Sequence, residues 1–237
     1  MERLIRYPKS IAVIGNHLPR QCGIATFTTD LCNALATELP NPEDVIALAM
    51  DDVPGGYPYP DRVGFEIRDN MPADYLRAAE YLHIKQMGVA ILQHEYGIYG
   101  GQYGANIFQL LENLRIPILT TLHTVLPNPR TDEKAILLKL DRVSERLIVM
   151  SEVARRILME AYQIPEDKIT IIPHGIPDVP FVDSFFYKDQ FGLETRKVIL
   201  TFGLLSPGKG LETMIEAMVH VCLLYTSPSP RDFSCNL

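Results

Sequence analysis

The sequence lacks three things, and each absence closes off a class of function. It has no basic tract, and its 22 Lys and Arg against 29 Asp and Glu leave a net charge of −7. Binding driven by phosphate neutralisation along a nucleic acid is therefore not expected. Its four cysteines, Cys22, Cys32, Cys222 and Cys235, form no CxxC pair and no Cys/His cluster, which argues against zinc and against a disulfide framework. It has no apolar run of about 18 residues, so no membrane span is expected. The charged opening MERLIRYPKS is followed by only five small or apolar residues, too few for a signal peptide. A reducing, cytoplasmic location is the expectation. What remains is a chain of 237 residues, 47% hydrophobic and 22% charged, suited to a globular protein of one or two domains.

Short β-branched or apolar runs occupy 11–14, 45–50, 89–93, 116–122, 147–150, 169–172 and 198–202, with 64–67 a weaker candidate. Their length and their bounding turn residues suit buried parallel strands. Amphipathic stretches lie between them. Phe27, Leu31, Ala34 and Leu35 share a helical face; so do Tyr75, Ala79, Leu82 and Gln86, with Leu76 and His83 beside them. Ile107, Leu110, Leu111 and Leu114 mark a third helix, Ile136, Leu137, Leu140 and Val143 a fourth, and Val153, Ile157, Leu158 and Ala161 a fifth. The repeated β–α order predicts an α/β fold, a doubly wound parallel sheet of Rossmann-like type. One such domain spans 1–175, a Pro-, Asp- and aromatic-rich linker 176–197, and the first β–α unit of a second domain 198–221.

The segment 222–232, CLLYTSPSPRD, comes after a helical pattern without a capping signal and resembles the conceptual translation of a transposase-type sequencing adapter. The expectation is that 222–237 is a non-native tail and that the second domain is cut short.

In open parallel sheets ligands gather at the carboxyl ends of the strands, so the segments just past each strand carry the candidates. GNHLPRQCGIATF (15–27) places Gly23 at a helix start, where a phosphate could approach backbone N–H groups; a plain turn glycine is the alternative. QHEYGIYGGQYG (93–104) sets His94, Glu95 and Tyr96 among four glycines, suited to a planar or sugar-like ligand or to a well-packed loop. Ile98 stands where the zinc motif HExxH needs histidine, and no metal is expected. His123, in TLHTVLPNP, sits where a strand gives out and could bond a substrate hydroxyl or phosphate. Ser151 suits a helix N-cap, and His174 ends the sheet unit. GLLSPGKG (203–210) nearly matches the P-loop, but Gly210 lacks the hydroxyl that would bind magnesium. Gly208 and Lys209 still favour a phosphate at a helix N-terminus.

Together PRQCGIATF, QHEYGIYGG, TLHT, VMSEVARRIL, IIPHGI and FGLLSPGKGLETMIEAM resemble, in that order, the family 4 glycosyltransferases of GT-B fold, over residues 10 to about 219. The resemblance implies two Rossmann-like domains, a nucleotide-sugar donor, an acceptor and retention of the anomeric configuration, with no metal or cofactor. It places Gly23 and Lys209, with Gly208, near the donor diphosphate and His123 near the reacting sugar as the catalytic candidate. His94, Glu95, Tyr96 and His174 remain acceptor or cleft candidates. The family's usual arginine is replaced by Leu204. Its downstream E-x7-E segment is absent, so this polypeptide alone is expected to be inactive, to expose apolar surface on the helix at 211–221 and to show low solubility or local disorder after about Ile176. A GT-B-fold epimerase or phosphorylase, a P-loop-like nucleotide-binding protein and a non-catalytic carbohydrate-binding module are the alternatives. The donor, the acceptor and the oligomeric state are not legible, and weak membrane association has no strongly basic amphipathic helix to support it.

Overall fold

A computed structural model describes residues 8–176, 179–201 and 210–224. The chain divides into two compact units, Met1–Ile176 and Pro177–Leu237.

The first unit is built on seven parallel strands: β1 Ile11–Gly15, β2 Val45–Asp51, β3 Val63–Arg68, β4 Val89–His94, β5 Ile118–Leu122, β6 Arg146–Val149 and β7 Ile169–Ile171. Their order across the sheet is β3-β2-β1-β4-β5-β6-β7. β1 and β4 are buried at every position, which is why they read as apolar runs, β4 turning polar only at Gln93 and His94. β3 lies at the sheet edge and alternates exposed and part-buried residues until Ile67, hence its weaker signal.

Five helices flank the sheet: α1 Gly23–Glu38, α2 Pro72–Ile84, α3 Phe108–Leu111, α4 Thr131–Val143 and α5 Glu152–Tyr162. The two-residue period of β1 sends Ile11 and Val13 to one face, where they pack with Val45, Ala47, Ile91 and the α1 residues Cys32 and Ala36. Ala12 and Ile14 face the other way, into a core that includes Leu48, Met50, Leu92 and Tyr75, Leu82, Leu110, Leu137 and Leu158 from α2 to α5. The direction of chain travel accounts for the division. α1 carries the chain one way from β1 to β2, and α2 brings it back past β1 to β4, so right-handed crossovers place them on opposite faces.

Three helix expectations are corrected. The core-facing residues of α1 are Ala25, Thr28, Cys32 and Ala36; Ala34 is exposed, and Phe27, Leu31 and Leu35 are only part-buried. Small side chains let the helix approach the sheet closely, and that outweighs their modest apolarity. α2 ends at Ile84, and Gln86 lies beyond it with φ 53°. The third helix is α-helical only over Phe108–Leu111, because Tyr103 and Gly104 adopt positive φ inside the preceding 3-10 segment Gln102–Ile107. Ser151 caps α5 as expected, its Oγ accepting from the Ala154 N–H at 3.2 Å.

The second unit contains α6 Ser184–Gln190, within the span expected as linker, and α7 Leu211–Leu224. No strand forms over 198–201, and Val198, Ile199 and Leu200 are exposed. A parallel strand needs a neighbour for its ladder, and a lone β–α unit supplies none. Ile215 and Val219 of α7 are likewise exposed.

Candidate active site at the strand carboxyl ends

The strand order reverses direction at β1 and β4, which are adjacent in register from Ile11↔Val89 to Ile14↔Leu92. A crevice at such a switch point is where open α/β sheets place ligands. Gly15 ends β1 there. A Cβ on it would lie 3.0 Å from Gln93 Cβ and 3.2 Å from Thr28 Oγ1, so a glycine lets β1, β4 and α1 converge.

His123 comes directly after β5. Its backbone N–H donates to the His94 carbonyl at 3.1 Å, extending the β4–β5 ladder by one residue. Its Nε2 lies 2.9 Å from Gln93 Oε1. Phe27 of α1 meets its ring edge-on, centroids 4.9 Å apart, and meets the His174 ring at 5.2 Å. Burial lowers the His123 pKa, Glu95 opposes that, and His174 adds to it. The imidazole is held towards its neutral form.

Gly23 is the first residue of α1. Cys22 caps the helix: its Sγ accepts from the Ala25 N–H at 3.3 Å and its carbonyl from the Thr26 N–H at 3.2 Å. The N–H groups of Gly23 and Ile24 have no partner inside the helix, and nothing lies within 4 Å of a Cβ built on Gly23. Backbone donors are thus open to an approaching anion.

His94 is wholly buried, with the Tyr99 ring stacked at 6.4 Å and the Tyr96 ring edge-on at 5.1 Å. Neither of its ring nitrogens has a hydrogen bond within the protein. Burial, reinforced by His123, lowers its pKa to about 3. Glu95 is tied locally: Oε2 accepts from Thr124 Oγ1 at 2.6 Å and Oε1 from the Tyr96 N–H at 3.0 Å. Tyr96 reaches the Glu133 carbonyl at 3.4 Å, and burial raises its pKa. His174 is exposed, with Nδ1 2.6 Å from the Gly175 carbonyl.

The structure therefore brings His123, His174 and the loop of His94 and Glu95 to one edge of the sheet, with Gly23 opening α1 beside Phe27. Leu204, Gly208 and Lys209 lie outside the described residues; the helix after them begins at Leu211, preceded by Gly210 with φ 73°. Gln93, Phe27 and Thr28 are additional members. Gln93 had a signal, a polar residue closing an otherwise apolar strand, VAILQH. Asn16 and His17, directly after β1, are also buried, and Asn16 Oδ1, His17 Nε2, Thr28 Oγ1 and Gln93 Nε2 lack protein partners. Such groups are costly to bury unpaired, at about 1–3 kcal/mol each, and they cluster where a polar ligand would be expected.

A second polar group closes β2 and β3. Asp51 accepts from the Tyr59 hydroxyl at 2.8 Å, and Arg20 pairs with Asp52 at 2.8 Å. Burial and the adjoining Asp51 carboxylate raise the Glu66 pKa. Among the described residues no group of three His, Cys, Asp or Glu side chains is placed to hold a metal ion.

Residues 22–178 match the family model Glycosyltransferase Family 4. The chain belongs to glycosyltransferase family 4. Its family 4 fold is shared with Anabaena Alr3699/HepE, whose crystal structure is in complex with UDP and glucose: the TM-score is 0.64 at 12% identity, covering 89% of this chain and 58% of that one. The chain thus spans little more than half the length of that protein. A glycosyltransferase from Rickettsia africae aligns with a TM-score of 0.49 at 17% identity, covering 94% of this chain and 51% of that one. No curated protein sequence matches the chain. Among the described residues no helix of this family 4 member is long and apolar enough to cross a membrane.

Proposed function

We propose that the gene encoding this chain specifies a retaining glycosyltransferase that moves a sugar from a nucleotide-sugar to an acceptor hydroxyl. The observation that carries this is the meeting of His123, Gln93, Phe27 and the α1 N-terminus at the switch point of a family 4 sheet. In the reaction the acceptor oxygen bonds to the anomeric carbon, and the bond from that carbon to the diphosphate breaks. The nucleoside diphosphate leaves with the electron pair, and the acceptor's proton is passed to an oxygen of the leaving group or to solvent. A neutral, half-buried His123 suits a hydrogen bond to a sugar hydroxyl. The free N–H groups of α1 suit the diphosphate. Lys209 would neutralise charge on the departing nucleotide, and stabilisation of that kind is often the largest single contribution to rate. His94, Glu95 and Tyr96 support the loop beside the site, and transfer would proceed without metal.

The test is acceptor-dependent release of nucleoside diphosphate by the product of the whole gene, with and without chelator. Transfer that survives chelation and falls about 10²-fold or more in His123→Ala is expected. Magnesium-dependent nucleotide hydrolysis, or ligand binding without turnover, would replace this function with the P-loop or carbohydrate-binding alternative.

A further inference from the structure

Gln93 is completely buried in β4, and its backbone is fixed twice: it pairs in register with Thr121 of β5, and its carbonyl accepts from Tyr99 at 2.6 Å. Its side chain meets His123 at 2.9 Å through Oε1. An amide oxygen can only accept a hydrogen bond, so the hydrogen in that contact belongs to Nε2 of the ring. His123 is itself fixed by its backbone bond to His94 and by the edge of Phe27. Among the described residues its Nδ1 has no hydrogen-bond partner.

We infer that Gln93 is a positioning residue that holds His123 as the Nε2–H tautomer and leaves Nδ1 as the one basic nitrogen the ring can offer. The contrast with His17 shows that the choice is local. There Nδ1 lies 2.8 Å from the Leu18 carbonyl, which selects the opposite tautomer. The consequence for transfer rests on the function proposed above. With its only N–H occupied by Gln93, neutral His123 can accept a hydrogen bond but cannot donate one. The ligand group it faces must therefore be a hydroxyl or another donor, and a bare phosphate oxygen is disfavoured. The amide nitrogen of Gln93, buried and unpartnered, remains as the complementary donor in the same place.

Long-range proton–nitrogen correlation spectra of the full chain, labelled with ¹⁵N-histidine and recorded at mildly alkaline pH, test this without requiring turnover. The His123 signals are assigned by their disappearance in His123→Phe. A single tautomer is expected, protonated at Nε2. Gln93→Met removes the acceptor and should give a mixture of tautomers. Gln93→Glu keeps an acceptor oxygen and should retain the Nε2–H form while moving the His123 titration upward. An Nδ1-protonated ring in the unsubstituted protein overturns the proposal, as does a pattern unchanged in Gln93→Met. Should Gln93→Met fail to fold, the unsubstituted spectrum and Gln93→Glu decide. Loss of the proposed transferase activity with the tautomer intact would sink the function and leave this assignment standing; the reverse pattern would sink this assignment alone.

Discussion

The hydroxyl of Tyr99 donates to the backbone carbonyl of Gln93 at 2.6 Å and lies 3.3 Å from that of Ile14, so one phenol ties together the carboxyl ends of β4 and β1. Tyr99 is wholly buried, and its own carbonyl accepts from Tyr75 at 2.5 Å. Tyr99→Phe keeps the ring and strands the carbonyls. A loss of about 1–3 kcal/mol is expected, read as a lower urea midpoint, together with a broader His123 environment in the nitrogen spectra.

Asp74 accepts from Arg68 Nε at 2.6 Å and Nη2 at 2.9 Å, and from Arg77 Nη2 at 2.6 Å. The Arg68 hydrogen bond lowers the Asp74 pKa from its ordinary 3.8, against the opposing effect of burial. Between the two values the unfolded chain holds the extra proton. The pair's contribution is therefore complete above pH 3.8 and fades as pH falls through the folded value. Asp74→Asn should be less stable than the parent near neutrality, and the two urea midpoints should converge in strong acid. A gap that widens on acidification would contradict this.

His94 gives a wider window. Its pKa falls from 6.5 to about 3, so between those values the unfolded chain binds a proton that the folded chain refuses. Stability is full above pH 6.5 and declines as pH falls towards 3. His94→Phe should flatten that decline without abolishing it, because His17 and His123 are lowered as well and act in the same direction. Denaturation midpoints across this range measure the effect, and an unchanged slope would rule it out.

The loop after β4 offers a matched pair of glycines. A Cβ on Gly100 would fall 2.0 Å from the Asp69 carbonyl oxygen, at φ 60°, whereas nothing lies within 4 Å of one on Gly97. Gly100→Ala should cost at least about 2 kcal/mol, from the left-handed backbone and the clash together. Gly97→Ala should be close to neutral, within about 0.5 kcal/mol. Thermal midpoints of the two variants make the comparison.

Much of the fold was legible in the sequence, for a reason visible in β1 and β4. Strands buried on both faces are apolar over most of their length, so a plain run of residues gives them away, even though β4 closes on Gln93 and His94. β3 gave less because an edge strand has one wetted face. The 198–201 run failed as a strand although its composition suits one, because pairing is a property of neighbours that local composition does not contain. In the candidate site, the placement of His123 and Gly23 was legible because each lies in a segment that leaves the carboxyl end of a strand. Gln93 escaped because it belongs to the strand itself, and its partner lies 30 residues further on. The face of α1 escaped because periodicity weighs apolarity, while close helix–sheet packing selects size, as Ala25, Thr28 and Ala36 do.

The adjacency of β1 and β4 also sets an order of events during synthesis. Ile11 pairs with Val45 on one side and with Val89 on the other. As the chain emerges, β2 is available to β1 long before β4 is. Until residues 89–94 have been made, the most apolar strand of the sheet carries an open edge, a template for any other extended chain nearby. Closing that edge is the same event that creates the crevice beside Gly15. A nascent chain stopped short of β4 would therefore be both siteless and prone to associate; once β4 is in place the open edge passes to β4 itself, until β5 covers it and carries His123 to the crevice.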